Sequence, residues 1–222
     1  MHSLTLCATI CQNLLFMYSK REEFWNTITH AIGIPLGVIG LVLLLLNDGH
    51  KTEYSSMSIW SYGFSIILLY GASTIYHAVP RLSWKPLLRK IDHISIYFLI
   101  AGTYTPVALI SLLNGSGWWI FWTVWGITAF GTLLKIFFTG RFEVLSLLLY
   151  LVMGWLIVFD YSNVVALHSS FGLTLLALGG ACYTVGIVFY VVERIPMNHA
   201  IWHIFVLAGS IFHFFFILWD VI

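Results

Sequence analysis

The sequence predicts an all-α integral membrane protein, a bundle of seven transmembrane helices with its N-terminus in the cytoplasm. Three observations carry this prediction. Hydrophobic residues make up 60% of the 222 positions and charged residues only 9%, against about a quarter charged in a soluble domain. The apolar residues gather into seven continuous runs of roughly 20, the length that crosses a hydrocarbon core of ~30 Å as a helix. The basic residues fall almost wholly on one side of those runs.

The first run, Phe24–Leu46, follows Lys20-Arg21-Glu22-Glu23 and stops at Asn47-Asp48-Gly49-His50. The second, Ile59–Val79, ends at Pro80-Arg81, and the third, Ile91–Leu113, ends at Asn114-Gly115-Ser116-Gly117. Trp118–Phe138 is closed by Thr139-Gly140-Arg141. Val144–Tyr161 is the shortest run, Ser170–Val192 precedes Glu193-Arg194-Ile195-Pro196, and Ala200–Ile222 is the last. Glycine, proline and charge mark each boundary, and the connections are too short for a soluble domain. A membrane β-barrel would instead show alternating segments of about ten residues.

Residues 1–19 read as an extension or peripheral segment ahead of a membrane domain spanning 20–222. They are apolar but lack the basic start and small-residue cleavage site of a signal peptide, and Met17 offers an alternative start. Cys7, Cys11 and Cys182 form no disulfide framework and read as packing residues. A net charge of +1 leaves no basic excess for nucleic acid.

Lys and Arg stay on the cytoplasmic side of a membrane. With the N-terminus inside, Lys20, Arg21, Arg81, Lys85, Arg89, Lys90, Lys135, Arg141 and Arg194 are all inner, and only Lys51 is outer. Under that topology His30, His77, Asp92, His93, His199 and His203 come from four helices to one depth, near the inner face. Ionisable groups at membrane depth are costly, by about 2.5–3.5 kcal/mol on insertion scales, and are functional candidates. Lys135, near the inner end of its helix, is expected to snorkel to the interface.

His199 and His203 are spaced i, i+4, which places both imidazoles on one helix face about 6 Å apart. With His77 they supply three neutral ligands, the set of a four-coordinate zinc site with an open position. Asp92 is then placed to hydrogen-bond a water there or to orient a histidine. Copper(I) would call for Cys or Met, and calcium or magnesium for several carboxylates. Blander readings stand beside this one: His77 complements the C-terminal end of its helix, and His30 and His93 reach into the headgroups. Ser73 precedes His77 by one turn, and Asn26 precedes His30 by one turn.

Several stretches resemble the haemolysin III family, the bacterial branch of the progestin and adipoQ receptors. They are Glu22-Glu23-Phe24-Trp25-Asn26-Thr27-Ile28-Thr29-His30 with Gly33, then Ser73-Thr74-Ile75-Tyr76-His77, then Asp92-His93 with Ile100-Ala101-Gly102-Thr103-Tyr104-Thr105-Pro106. His199-Ala200-Ile201-Trp202-His203 with Phe205–Ser210 and His213-Phe214 completes them. The likeness runs from about residue 20 to the end. It implies seven helices in the cell membrane, N-terminus inside, with zinc on His77, His199 and His203 and Asp92 bound through water.

The resemblance also implies activities that differ in kind. One is hydrolysis of a lipid amide or ester in membrane lipid homeostasis, of ceramidase type. There zinc activates water, Asp92 accepts a proton, Ser73 steadies the oxyanion, and Asn26, His30 and His93 orient the substrate. Another is cytolysis through a pore, and a third is a non-catalytic lipid sensor or receptor with structural zinc. A pore needs polar rings through the whole thickness, whereas these polar residues gather at one side. The last helix has no lysine for a retinal Schiff base, and only Gly102–Pro106 hints at the broken midplane helix of a transporter. The expected partners are membrane lipids.

Overall fold

The computed structural model describes residues 19–80 and 83–222. Of the proposed extension 1–19, residues 1–18, with Met17, Cys7 and Cys11, lie outside the described residues, as does Arg81. Every described element is helical, and seven helices are long and apolar enough to cross a membrane. They are α1 Lys20–Leu46, α2 Ser55–Ala78, α3 Lys85–Ser111, α4 Gly117–Phe138, α5 Glu143–Leu167, α6 Ser170–Val191 and α7 Asn198–Val221.

Ser19 starts α1 with a reciprocal capping box: its hydroxyl accepts from the Glu22 amide at 3.2 Å, and its own amide donates to Glu22 Oε2 at 2.8 Å. This satisfies two of the amides that a helix start leaves without partners. Regular helix pauses at Ile32. Pro35 explains the pause, since its ring crowds the carbonyl four residues back, that of Ala31, and it brings no amide hydrogen.

Helix α3 lies deepest, with 67% of its most apolar stretch buried inside the bundle, against 17% for α5. It packs closely on α2 and α4, while α7 joins α6 to α1. Small residues allow the close approach that membrane helices favour. A Cβ on Gly102 would meet Ser65 Oγ at 2.2 Å, and one on Gly131 would meet the buried Tyr97 ring at 2.3 Å.

Two breaks in regular helix have polar groups satisfied from elsewhere in the bundle, one from a helix and one from a connection, as a lipid environment demands. The fifth span runs past its expected end at Tyr161 to Leu167, interrupted by a 3-10 turn at Leu156–Asp160. There Tyr104 of α3 donates to the Gly154 carbonyl and accepts from the Ile157 amide, both at 3.0 Å. Beyond Pro106, α3 widens into a π turn at Val107–Ser111, and Thr52 donates to the Leu109 carbonyl at 2.9 Å.

Lys135 departs from expectation. It does not snorkel; it is 2% exposed, and its ammonium sits 2.5 Å from Glu143 at the start of α5. Arg89 at 3.7 Å and His93 at 3.6 Å approach the same carboxylate. A lysine turned inward with a carboxylate partner avoids the cost of an isolated charge. Headgroup contact was the expectation because sequence proximity to the helix end does not reveal that partner.

Candidate metal centre

Four helices bring their polar faces together at one end of the bundle. On α1 the spacing Glu23, Asn26, His30 follows i, i+3, i+7, so all three share a face. On α2, Ser73 and His77 are one turn apart, and on α7 so are His199 and His203. Asp92 enters from α3 beside Ser73 and near His77. Asn26, His30, Ser73, His77, Asp92 and His203 are all buried, and His199 is half-buried at the rim.

His77, His199 and His203 each offer a ring nitrogen, and these atoms lie within 4.8 Å of one another. The ring centroids of His199 and His203 are 4.5 Å apart, and His77 stands 5.1 Å from the first and 5.2 Å from the second. These three are close enough to hold a metal ion.

The hydrogen bonds behind the rings determine which nitrogen faces inward. His203 Nδ1 lies 3.0 Å from the Asn26 carbonyl, which only accepts, so Nδ1 carries the proton and Nε2 keeps its lone pair. His77 Nδ1 lies 2.5 Å from Glu23 Oε2, so its Nδ1 also carries a proton.

The remaining expected residues divide. His30 reaches the centre and stands between two rings, stacked on His203 and edge-on to Tyr70 at 5.1 Å, so it is not a headgroup contact. Among the described residues, neither nitrogen of the His30 ring nor either polar atom of the Asn26 side chain has a hydrogen-bond partner. His93 turns instead to Glu143 and to the buried lysine there. His50 is exposed, and His168 is held by the Val164 carbonyl at 2.9 Å and Ser111 at 3.1 Å.

Glu23 was not among the residues singled out from the sequence. The signal was its i, i+3, i+7 register with Asn26 and His30; an acidic first turn, which helix ends favour anyway, concealed it.

A family model described as haemolysin-III related matches residues 18–214. The chain is 43% identical to the hemolysin-3 homolog of Bacillus subtilis over 205 residues, covering 91% of this chain and 95% of that one. It is 40% identical to hemolysin-3 of Bacillus cereus over 203 residues, covering 91% and 93%. The monocyte to macrophage differentiation factor of Homo sapiens is 32% identical over 207 residues, covering 87% and 82%. With seven membrane-length helices and this match over nearly its whole length, the chain is a multi-pass membrane protein that belongs to the haemolysin III family.

Proposed function

We propose that this protein holds zinc on His77, His199 and His203 and acts on membrane lipids, hydrolysing a lipid amide or ester. The observation that carries the reading is the convergence of three imidazoles with Asp92 and Ser73 in one buried recess. The donor set fits the metal. Two of the three rings have their Nδ1 protons committed to Glu23 and to the Asn26 carbonyl, which makes Nε2 the nitrogen each would offer an ion. Tetrahedral zinc spaces its nitrogens by about 3.4 Å, so small ring movements complete the site. Among the described residues the group close enough to hold an ion consists of three imidazoles, which suits zinc better than a soft metal.

Zinc in such a setting lowers the pKa of water towards about 7 and polarises a carbonyl. Asp92 is the residue placed to accept the proton from attacking water, and Ser73 beside it is placed to donate to the oxyanion. Asn26 brings a buried donor and acceptor without protein partners, suited to the amide or hydroxyl of a lipid headgroup. His30 walls the recess behind His203.

A second reading is supported by the origin of the ligands. All three come from α2 and α7, so zinc could serve only to tie those helices in a lipid sensor. Pore-forming cytolysis, the activity that the name of the Bacillus cereus relative implies, has weaker support. The buried Lys135 is paired with the half-buried Glu143, which makes a local ion pair and not a ring of charge.

Asp92→Asn separates the three. It keeps size and hydrogen bonding but cannot take a proton. A hydrolase keeps its zinc and melting temperature and loses turnover of ceramide-type amides. A scaffold behaves as wild type in lipid assays. A pore leaks liposomes with or without the change. Zinc-loaded wild type that cleaves no lipid amide or ester would count against catalysis.

A further inference from the structure

Glu23 sits one turn before Asn26 on α1, where its carboxylate divides between two partners. Oε2 is 2.5 Å from His77 Nδ1, and Oε1 accepts from Lys85 Nζ at 3.0 Å. Lys85 also donates to the Tyr76 carbonyl at 2.6 Å and stands 4.6 Å over the Tyr76 ring. The His77 side chain is fully enclosed, while Glu23 is 26% and Lys85 13% exposed.

We infer that Glu23 is a positioning residue for the metal ligand His77, and that Lys85 holds Glu23 in place. The inference rests on the metal reading above and adds to it how the lone ligand from α2 is fixed. A carboxylate accepts hydrogen bonds and does not donate them when ionised, so Glu23 keeps the proton of His77 on Nδ1 and turns Nε2 towards His199 and His203. It also makes the imidazole a stronger donor to a metal. Such carboxylate–histidine partners commonly change metal affinity by about 10–100-fold.

Lys85 has two tasks at the junction of α2 and α3. It neutralises a carboxylate that would otherwise be left partly desolvated. It also satisfies the Tyr76 carbonyl in the last turn of α2, one of the carbonyls a helix end leaves open. The ligand ring, the end of its own helix and the start of the next helix are thus tied through one ammonium group. Among the described residues His203 has the neutral Asn26 carbonyl at 3.0 Å and Thr29 at 3.2 Å behind it, where His77 has a carboxylate.

The test uses the full-length protein in detergent, as wild type, Glu23→Ala, Glu23→Gln, Lys85→Met and the control Glu22→Gln, which removes the neighbouring carboxylate charge and keeps a side chain able to cap Ser19 and to accept from the Met197 amide. Zinc affinity is measured by competition with a chelator, and melting temperature is measured with and without zinc. We expect Glu23→Ala to weaken zinc about 10–100-fold, Glu23→Gln and Lys85→Met to weaken it less, and Glu22→Gln to leave it unchanged. The zinc-free melting temperature of Glu23→Gln should stay near wild type, because its amide oxygen can still accept from His77 Nδ1, whereas Lys85→Met also frees the Tyr76 carbonyl and is read by zinc affinity. A merely structural Glu23 would lower the zinc-free melting temperature and leave affinity within twofold, which overturns the inference. Should Glu23→Ala fail to fold, Glu23→Gln and Lys85→Met carry the same comparison, and unchanged affinity in both overturns it. A wild type that holds no zinc overturns the metal reading itself; a wild type with zinc and an unaffected Glu23→Gln and Glu23→Ala overturns this inference alone.

Discussion

His30 lies flat on His203, with ring centroids 3.5 Å apart and ring planes 14° from parallel. In that pose His30 presents a face to its neighbour, which distinguishes it from the three histidines whose nitrogens converge. A fourth imidazole in a metal cluster would read as a fourth ligand by residue type alone.

The two roles give opposite outcomes for one substitution. We expect His30→Phe, which preserves the stacked ring, to retain about one zinc per chain, the stoichiometry of one such site. His77→Ala, His199→Ala and His203→Ala should each lose most of it, and His50→Ala, at an exposed position, should lose none. Elemental analysis of the purified variants decides the matter. Full zinc in His203→Ala would remove the triad.

The Lys135–Glu143 pair gives a stability prediction independent of metal. Glu143→Gln strands a lysine whose side chain is 3% exposed. A fully buried pair broken this way costs ~3–5 kcal/mol; with Glu143 30% exposed, about 2–3 kcal/mol is expected. The melting temperature should fall, and Lys135→Met added to Glu143→Gln should restore most of it. A double variant no better than Glu143→Gln would show that the pair is not coupled.

The seven spans were legible because hydropathy and length report directly on the solvent a helix requires. The triad was legible because i, i+4 spacing fixes a helix face and alternating topology fixes depth. What escaped were relationships between helices. Glu23 resembled an ordinary acidic first turn until His77 of α2 came within 2.5 Å. Lys135 looked solvent-bound because its partner Glu143 lies across a turn. The 3-10 turn in α5 carries no proline; its polar groups are met by Tyr104, about fifty residues earlier in the chain.

Topology is tested separately, because the fold is compatible with either orientation. The distribution of Lys and Arg leads us to expect the N-terminus and the α2–α3 connection in the cytoplasm. A cysteine at Ser83 should label only after cells are opened, and one at Ser169 in intact cells. The reverse pattern would place the histidine end on the outer face.

The two histidines that converge on His77, His199 and His203, both sit on α7, the last of the described helices. Synthesis proceeds from the N-terminus, so α1 and α2 enter the membrane with Glu23 able to hold His77 long before residues 199 and 203 exist. On the proposed zinc reading, capture of the ion would therefore be a late event in biogenesis. A nascent chain stalled before α7 would keep one of the three proposed ligands, His77, and that is too few to compete for the ion.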